Sequence, residues 1–147
     1  MKYFSLFLII LLCMVNIAYS EDEISIATSV YTKHLNGDKN LNENTQGVAI
    51  YYNDWLAGTF NNSNYQRSWI LARRFSTDKY DLDDNLFIRG NFYAGALYGY
   101  GDYMPNISGW TVGATPSFEI GYKKIALETM ISPAGGGVIS SLIKFTF

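Results

Sequence analysis

The chain of 147 residues is poor in the residues that make most active and metal sites: it has one histidine, one cysteine and three prolines. The cysteine, Cys13, lies inside the apolar stretch that opens the chain, so beyond it there is neither a disulfide nor a thiol nucleophile. Leu11 and Leu12 before it are not the small residues a lipid-modified cysteine requires. One histidine without cysteine partners leaves no cluster for a structural or catalytic zinc. Positive charge is also scarce: 11 basic against 13 acidic residues give a net charge of −2, which argues against a nucleic-acid partner. After residue 20 no apolar run approaches the roughly 20 residues that a membrane-spanning helix needs.

What is present begins with Lys2, an apolar run to Ala18 and the small-residue site Ala18-Tyr19-Ser20. This pattern predicts a secretory signal peptide over residues 1–20, with one exported domain over 21–147. All 3 Trp and most of the 12 Tyr fall in that domain. A chain rich in aromatics but lacking a long apolar run can still cross a membrane as a closed barrel of tilted strands, each about 9–11 residues, with aromatic girdles at both interfaces.

Eight stretches carry strand chemistry, at 24–33, 47–52, 55–61, 65–75, 86–100, 109–122, 125–131 and 138–147. They are separated by loops rich in Asn, Asp, Gly and Pro, and none shows a sustained helical period. In the last stretch Ile139, Ser141, Ile143, Phe145 and Phe147 share one face, while Ser140, Leu142, Lys144 and Thr146 share the other. Apolar-out, mixed-in alternation that ends on an aromatic is the pattern of an outer-membrane barrel. The expected fold is therefore all-β, an eight-stranded antiparallel up-and-down transmembrane β-barrel in the cell outer membrane. An ordinary amphipathic strand of a soluble barrel or sandwich is the alternative.

Strand parity has a functional consequence. With both termini at one end, the loops after Lys33, Asn61, Tyr100 and Ile131 share the opposite, external end. His34 and Ser63 are thus expected at the same mouth of the barrel. His34 is the one side chain whose ordinary pKa lies near neutrality, so general acid–base work would fall to it. With Ser63 it supplies a hydroxyl and a base, the minimum for acyl transfer. Asn61-Asn62-Ser63 and Asn106-Ile107-Ser108 also fit the glycosylation acceptor pattern, and the first equally fits an Asn-rich tight turn.

Most other charges read as solvated. Asp38, Glu43, Asp78, Asp81, Asp83 and Asp84 are expected as loop charges, and Arg73-Arg74 and Lys123-Lys124 as anchors at the periplasmic interface. Glu119 and Glu128 lie within strands and must point inward, because a charge facing lipid at mid-depth costs a few kcal/mol.

Several motifs in order, Lys33-His34, an Asn-rich loop leading to Gly47, "WLAGTFNNS", "PSFEIGYKKIALETMISP" and the terminal "IKFTF", resemble the lipid A palmitoyltransferases (PagP) over most of residues 30–147. Those are small outer-membrane barrels that move an acyl chain from a phospholipid to lipid A. The resemblance implies a phospholipid donor, a lipid A acceptor, a monomer among outer-membrane lipids, and no metal or organic cofactor. It places the family's essential histidine on His34 and its essential serine on Ser63, within the turn Phe-x-x-Ser. The family's aspartate before that serine falls on Asn62, where the pattern is broken. In a serine triad such an exchange costs about 10⁴ in rate, and Asp38 is a candidate replacement. Prolines flanking lateral openings in the family's barrel wall resemble Pro116 and Pro133, where a missing N–H weakens strand pairing. The family's interior pocket holds one acyl chain, and the 65–75 strand, with Leu71, Arg73 and Arg74, is expected to line its depth. The competing readings are a non-catalytic barrel serving membrane protection or adhesion, and a soluble barrel with an apolar ligand inside.

Overall fold

The computed structural model describes residues 23–36, 40–101, 104–133 and 136–147. The expected signal peptide, Cys13 within it, and Asp38 lie outside the described residues. The described chain is all strand and loop: β1 (Ile24–His34), β2 (Gly47–Tyr52), β3 (Trp55–Asn61), β4 (Arg67–Ser76), β5 (Tyr80–Asp83), β6 (Leu86–Tyr98), β7 (Trp110–Tyr122), β8 (Ile125–Ser132) and β9 (Val138–Thr146). Neighbours pair antiparallel from β4 back through β1 to β9 and on to β6, and a β4–β6 ladder from Trp69↔Tyr98 to Ser76↔Asn91 closes the ring. Eight strands thus form a closed up-and-down barrel. The short β5 is a hairpin lying on the start of β6, outside the ring.

Two-residue turns at Asn53-Asp54 and Lys123-Lys124 tie strands at the end that carries the termini, with Asn53 and Lys123 at positive φ. There Phe147 N–H donates to Ile24 O at 2.9 Å. At the closing seam Gly95 faces Ala72 so closely that a Cβ on it would sit 2.4 Å from the Ala72 Cα, so only glycine lets β6 approach β4 here.

Alternation decides what faces in. In β9, Leu142 packs against the core and Lys144 is buried, while Phe145 is exposed, as its sequence pattern requires. In β4 the same period turns Ser68, Ile70, Ala72 and Arg74 inward and Trp69, Leu71 and Arg73 outward. This corrects the expectation for Arg73-Arg74 as a pair of interface anchors: Arg73 is exposed, but Arg74 is buried and donates to Asn53 O. It also removes Leu71 and Arg73 from the barrel's interior.

The interior has two halves. Toward the termini it holds a charged cluster: Arg89 donates to Glu119 at 2.8 Å, Lys144 lies 2.7 Å from Glu119 and 3.8 Å from Glu128, and Glu128 accepts from Asn91, Tyr93 and Ser117. Arg89 and Lys144 contact the carboxylates and Arg74 is buried nearby under the Tyr51 ring, and Glu119 and Glu128 face inward as expected. Above the cluster lie Tyr51 and Tyr93, edge to face with ring centroids 6.3 Å apart. Above these rings the barrel is hollow.

Outside, Ile26, Ile50, Leu71, Ile120, Leu127 and Phe145 are all exposed around the wall. Exposed aromatics gather at both rims, with Tyr52, Trp55 and Tyr122 toward the termini and Trp69, Tyr98 and Trp110 at the opposite end.

Candidate active site

The hollow is a cavity of about 750 Å³ lined by small and apolar side chains, among them Ala27, Leu56, Ile70, Ala72, Met130 and Leu142. Its floor is the Tyr51–Tyr93 pair, and its mouth carries His34, Ser63 and Tyr100. A pocket of this size falls within the roughly 300–1,000 Å³ range typical of small-molecule sites.

His34 ends β1 and Ser63 begins the turn after β3, 29 residues later, yet His34 Nε2 and Ser63 Oγ are 2.7 Å apart. Parity predicts a shared mouth, and the structure adds direct contact. His34 is buried at 3% exposure, and its Nδ1 has no hydrogen-bond partner among the described residues. The ring is therefore held by packing, by Ser63, and by its backbone, whose N–H reaches Glu43 at 3.4 Å. Glu43 is an exposed loop carboxylate, as expected, and Lys33 pairs with it at 2.9 Å and lowers its pKa.

Asn62 is not itself a lining residue of the cavity, and its side chain is engaged elsewhere than with His34. It is fully buried, and all its side-chain capacity is used in shaping the turn. Its Oδ1 accepts from the backbone N–H groups of Asn64 and Gln66, and its Nδ2 donates to Ser68 Oγ and to Gly99 O, each at 3.0 Å. The last bond ties the turn carrying Ser63 to the segment after β6. Only an amide can do this, since a carboxylate has no proton to give to the Gly99 carbonyl. Asn62→Asp, which restores the carboxylate of the resembled family, is therefore expected to destabilise the barrel by about 1–3 kcal/mol, the cost of an unsatisfied buried group. Urea unfolding followed by tryptophan fluorescence measures this, and a variant as stable as the parent would contradict the clamp.

The wall beside the cavity is incomplete. β7 pairs with β6 along its whole length, from Leu86↔Tyr122 to Tyr98↔Trp110. Its ladder to β8, by contrast, stops at Ser117↔Met130. The next residue up β7 is Pro116, which has no N–H to continue a ladder, and β8 ends just before Pro133. Above that point the Thr115 Oγ1 hydroxyl donates to Ile131 O at 3.0 Å across the seam. Val112 is 82% exposed yet also lines the cavity, as do Thr115 and Pro133, so the cavity reaches the outer surface of the barrel through this seam.

Tyr100 and the tyrosine floor escaped the sequence reading. Tyr100 lies beyond the end of β6, and nothing in its local pattern says that it folds over the mouth. Tyr51 and Tyr93 are inward by alternation, but their meeting across the barrel depends on closure. Among the described residues no group of three or more His, Cys, Asp or Glu is placed to hold a metal ion. No family model matches the chain, and no curated protein matches it.

Proposed function

We propose that this protein is an outer-membrane acyltransferase that moves a fatty acyl chain from a phospholipid to lipid A. The observation that carries the reading is the buried His34–Ser63 pair, 2.7 Å apart, at the mouth of an apolar cavity with a side exit. A hydroxyl bonded to an imidazole is a unit for moving protons at an ester. An apolar cavity suits the hydrocarbon tail of that ester, and the β7–β8 seam gives the tail a sideways path from a surrounding bilayer.

The exposed apolar wall supports placement in a membrane. Soluble monomers rarely expose contiguous apolar patches beyond a few hundred Å². Here large hydrophobics face outward on nearly every strand, with aromatic rims above and below. The charged cluster beneath Tyr51 and Tyr93 plugs the lower half, so the interior serves as a dead-end pocket, unlike a pore.

In the proposed reaction the phospholipid tail fills the cavity and its ester carbonyl rests beside His34 and Ser63. A hydroxyl of lipid A attacks the carbonyl carbon as His34 Nε2 accepts the hydroxyl proton. The bond from that carbon to the glycerol oxygen then breaks, and His34 returns the proton to the glycerol oxygen. The products are acylated lipid A and a lysophospholipid, and no electron carrier or metal enters the balance.

Expression in an outer membrane that lacks its own lipid A acyltransferase tests this directly. Mass spectrometry of lipid A is expected to show one added acyl chain, with an equal amount of lysophospholipid formed. A protein that inserts and folds there but adds no mass would exclude the reading in favour of a non-catalytic lipid-holding barrel.

A further inference from the structure

The mouth of the cavity holds a third protic side chain. β6 ends at Tyr98, and Gly99 follows at φ +105°, where a Cβ would stand 2.5 Å from Arg67 O. This kink, open only to glycine, turns the chain inward and lays Tyr100 across the mouth. Two contacts keep it there. Its ring tilts against Phe60 with centroids 6.5 Å apart, and the Asn62 amide grips the adjoining Gly99 carbonyl at 3.0 Å. Tyr100 thus lines the cavity beside Ser63 and His34, and Ser63 acts on its phenol.

We propose that Tyr100 is a catalytic residue of this site, whose phenolic O–H donates to the ester carbonyl oxygen as negative charge develops there, with Asn62 as the residue that positions it. The proposal rests on the acyl-transfer reading above. The phenol lines the same mouth as His34 and Ser63, so its proton is placed for an oxygen held there. Burial raises the phenol's pKa more than Ser63 lowers it, so the proton is present at neutral pH. The case for such a donor follows from His34. Among the described residues its Nδ1 has no hydrogen-bond partner, which leaves a role for a donor on the other side of the reacting carbonyl. The assignment also gives the buried Asn62 a catalytic consequence without contact to the substrate.

The test compares Tyr100→Phe and His34→Ala with the parent, as full-length proteins in mixed micelles of phospholipid and lipid A. Folding is checked by heat-dependent mobility on a gel. Tyr100→Phe keeps the ring and its contact with Phe60, and is expected to lower kcat about 10²-fold, as loss of one oxyanion donor does, with KM within a few-fold of the parent. A Tyr100→Phe protein as active as the parent, alongside an inactive His34→Ala, would overturn the role of Tyr100 and leave the acyl-transfer reading standing. A loss confined to KM would equally overturn it. A folded parent that transfers nothing would remove both.

Discussion

His34→Gln is expected to reduce acyl transfer by about 10²–10⁴-fold while the barrel folds as before. Glutamine keeps a polar group facing Ser63 Oγ, which His34 Nε2 meets at 2.7 Å, but it cannot take up and release a proton near neutrality. The comparison with His34→Ala separates chemistry from packing, because alanine also empties a site that is 3% exposed. If packing mattered most, glutamine would rescue much of the alanine loss, whereas the proton-transfer role predicts equal inactivity. Ser63→Ala is expected to be similarly damaging, and the double variant no worse than His34→Ala alone, because residues that act as a unit are not additive. Initial rates of radiolabelled acyl transfer to lipid A measure all four proteins. Costs that multiply in the double variant would show that the two side chains work separately, despite their contact.

The fold was legible because each strand repeats one simple statement. Ile139 to Phe147 alternates apolar and mixed residues, and the wall and interior of the barrel sort along that line. Pairing partners, by contrast, are set by closure of the ring. Nothing near Ser68 or Gly99 in the sequence says that both will meet Asn62, which lies 37 residues before Gly99. The site was half legible for the same reason. Counting strands brings His34 and Ser63 to one end, since parity survives errors of a residue or two at strand ends. The partner of a buried amide does not survive such errors, so the clasp that Asn62 makes to Ser68 and Gly99 is not legible in the sequence. Arg74 shows a different failure. Adjacent like charges suggest a common surface role, but a period of two must send one of them inward, and here the inward one lies beneath the Tyr51 ring system, its guanidinium 5.7 Å from the ring centroid. The β5 hairpin carries no strand signal in the sequence because "STDKYDLDDN" is dominated by turn-forming aspartates, and its strand pairing depends on the neighbouring edge of β6.

The buried charges give the largest stability effect. Lys144→Met is expected to destabilise the barrel by about 3–5 kcal/mol, the usual consequence of removing one member of a buried ionic group. Lys144 is 1% exposed and stands between Glu119 at 2.7 Å and Glu128 at 3.8 Å. Methionine fills much of its volume, so the cost is chiefly that of Glu119 and Glu128 losing the cation that lies between them. Charge balance, more than the number of contacts, then predicts the second half of the experiment. Adding Glu128→Gln removes the carboxylate that has lost its ion pair and leaves Arg89 on Glu119, while the amide oxygen still accepts from Asn91, Tyr93 and Ser117. The double variant is expected to recover a substantial part of the loss, although it contains one more substitution, and urea unfolding in detergent resolves the three proteins. Losses that simply add would mean that Lys144 stabilises the barrel by packing over the Tyr51 ring, 5.3 Å from its centroid, and not by neutralising the cluster. Catalysis is affected only indirectly in either case, since this cluster lies below the tyrosine floor and His34 above it.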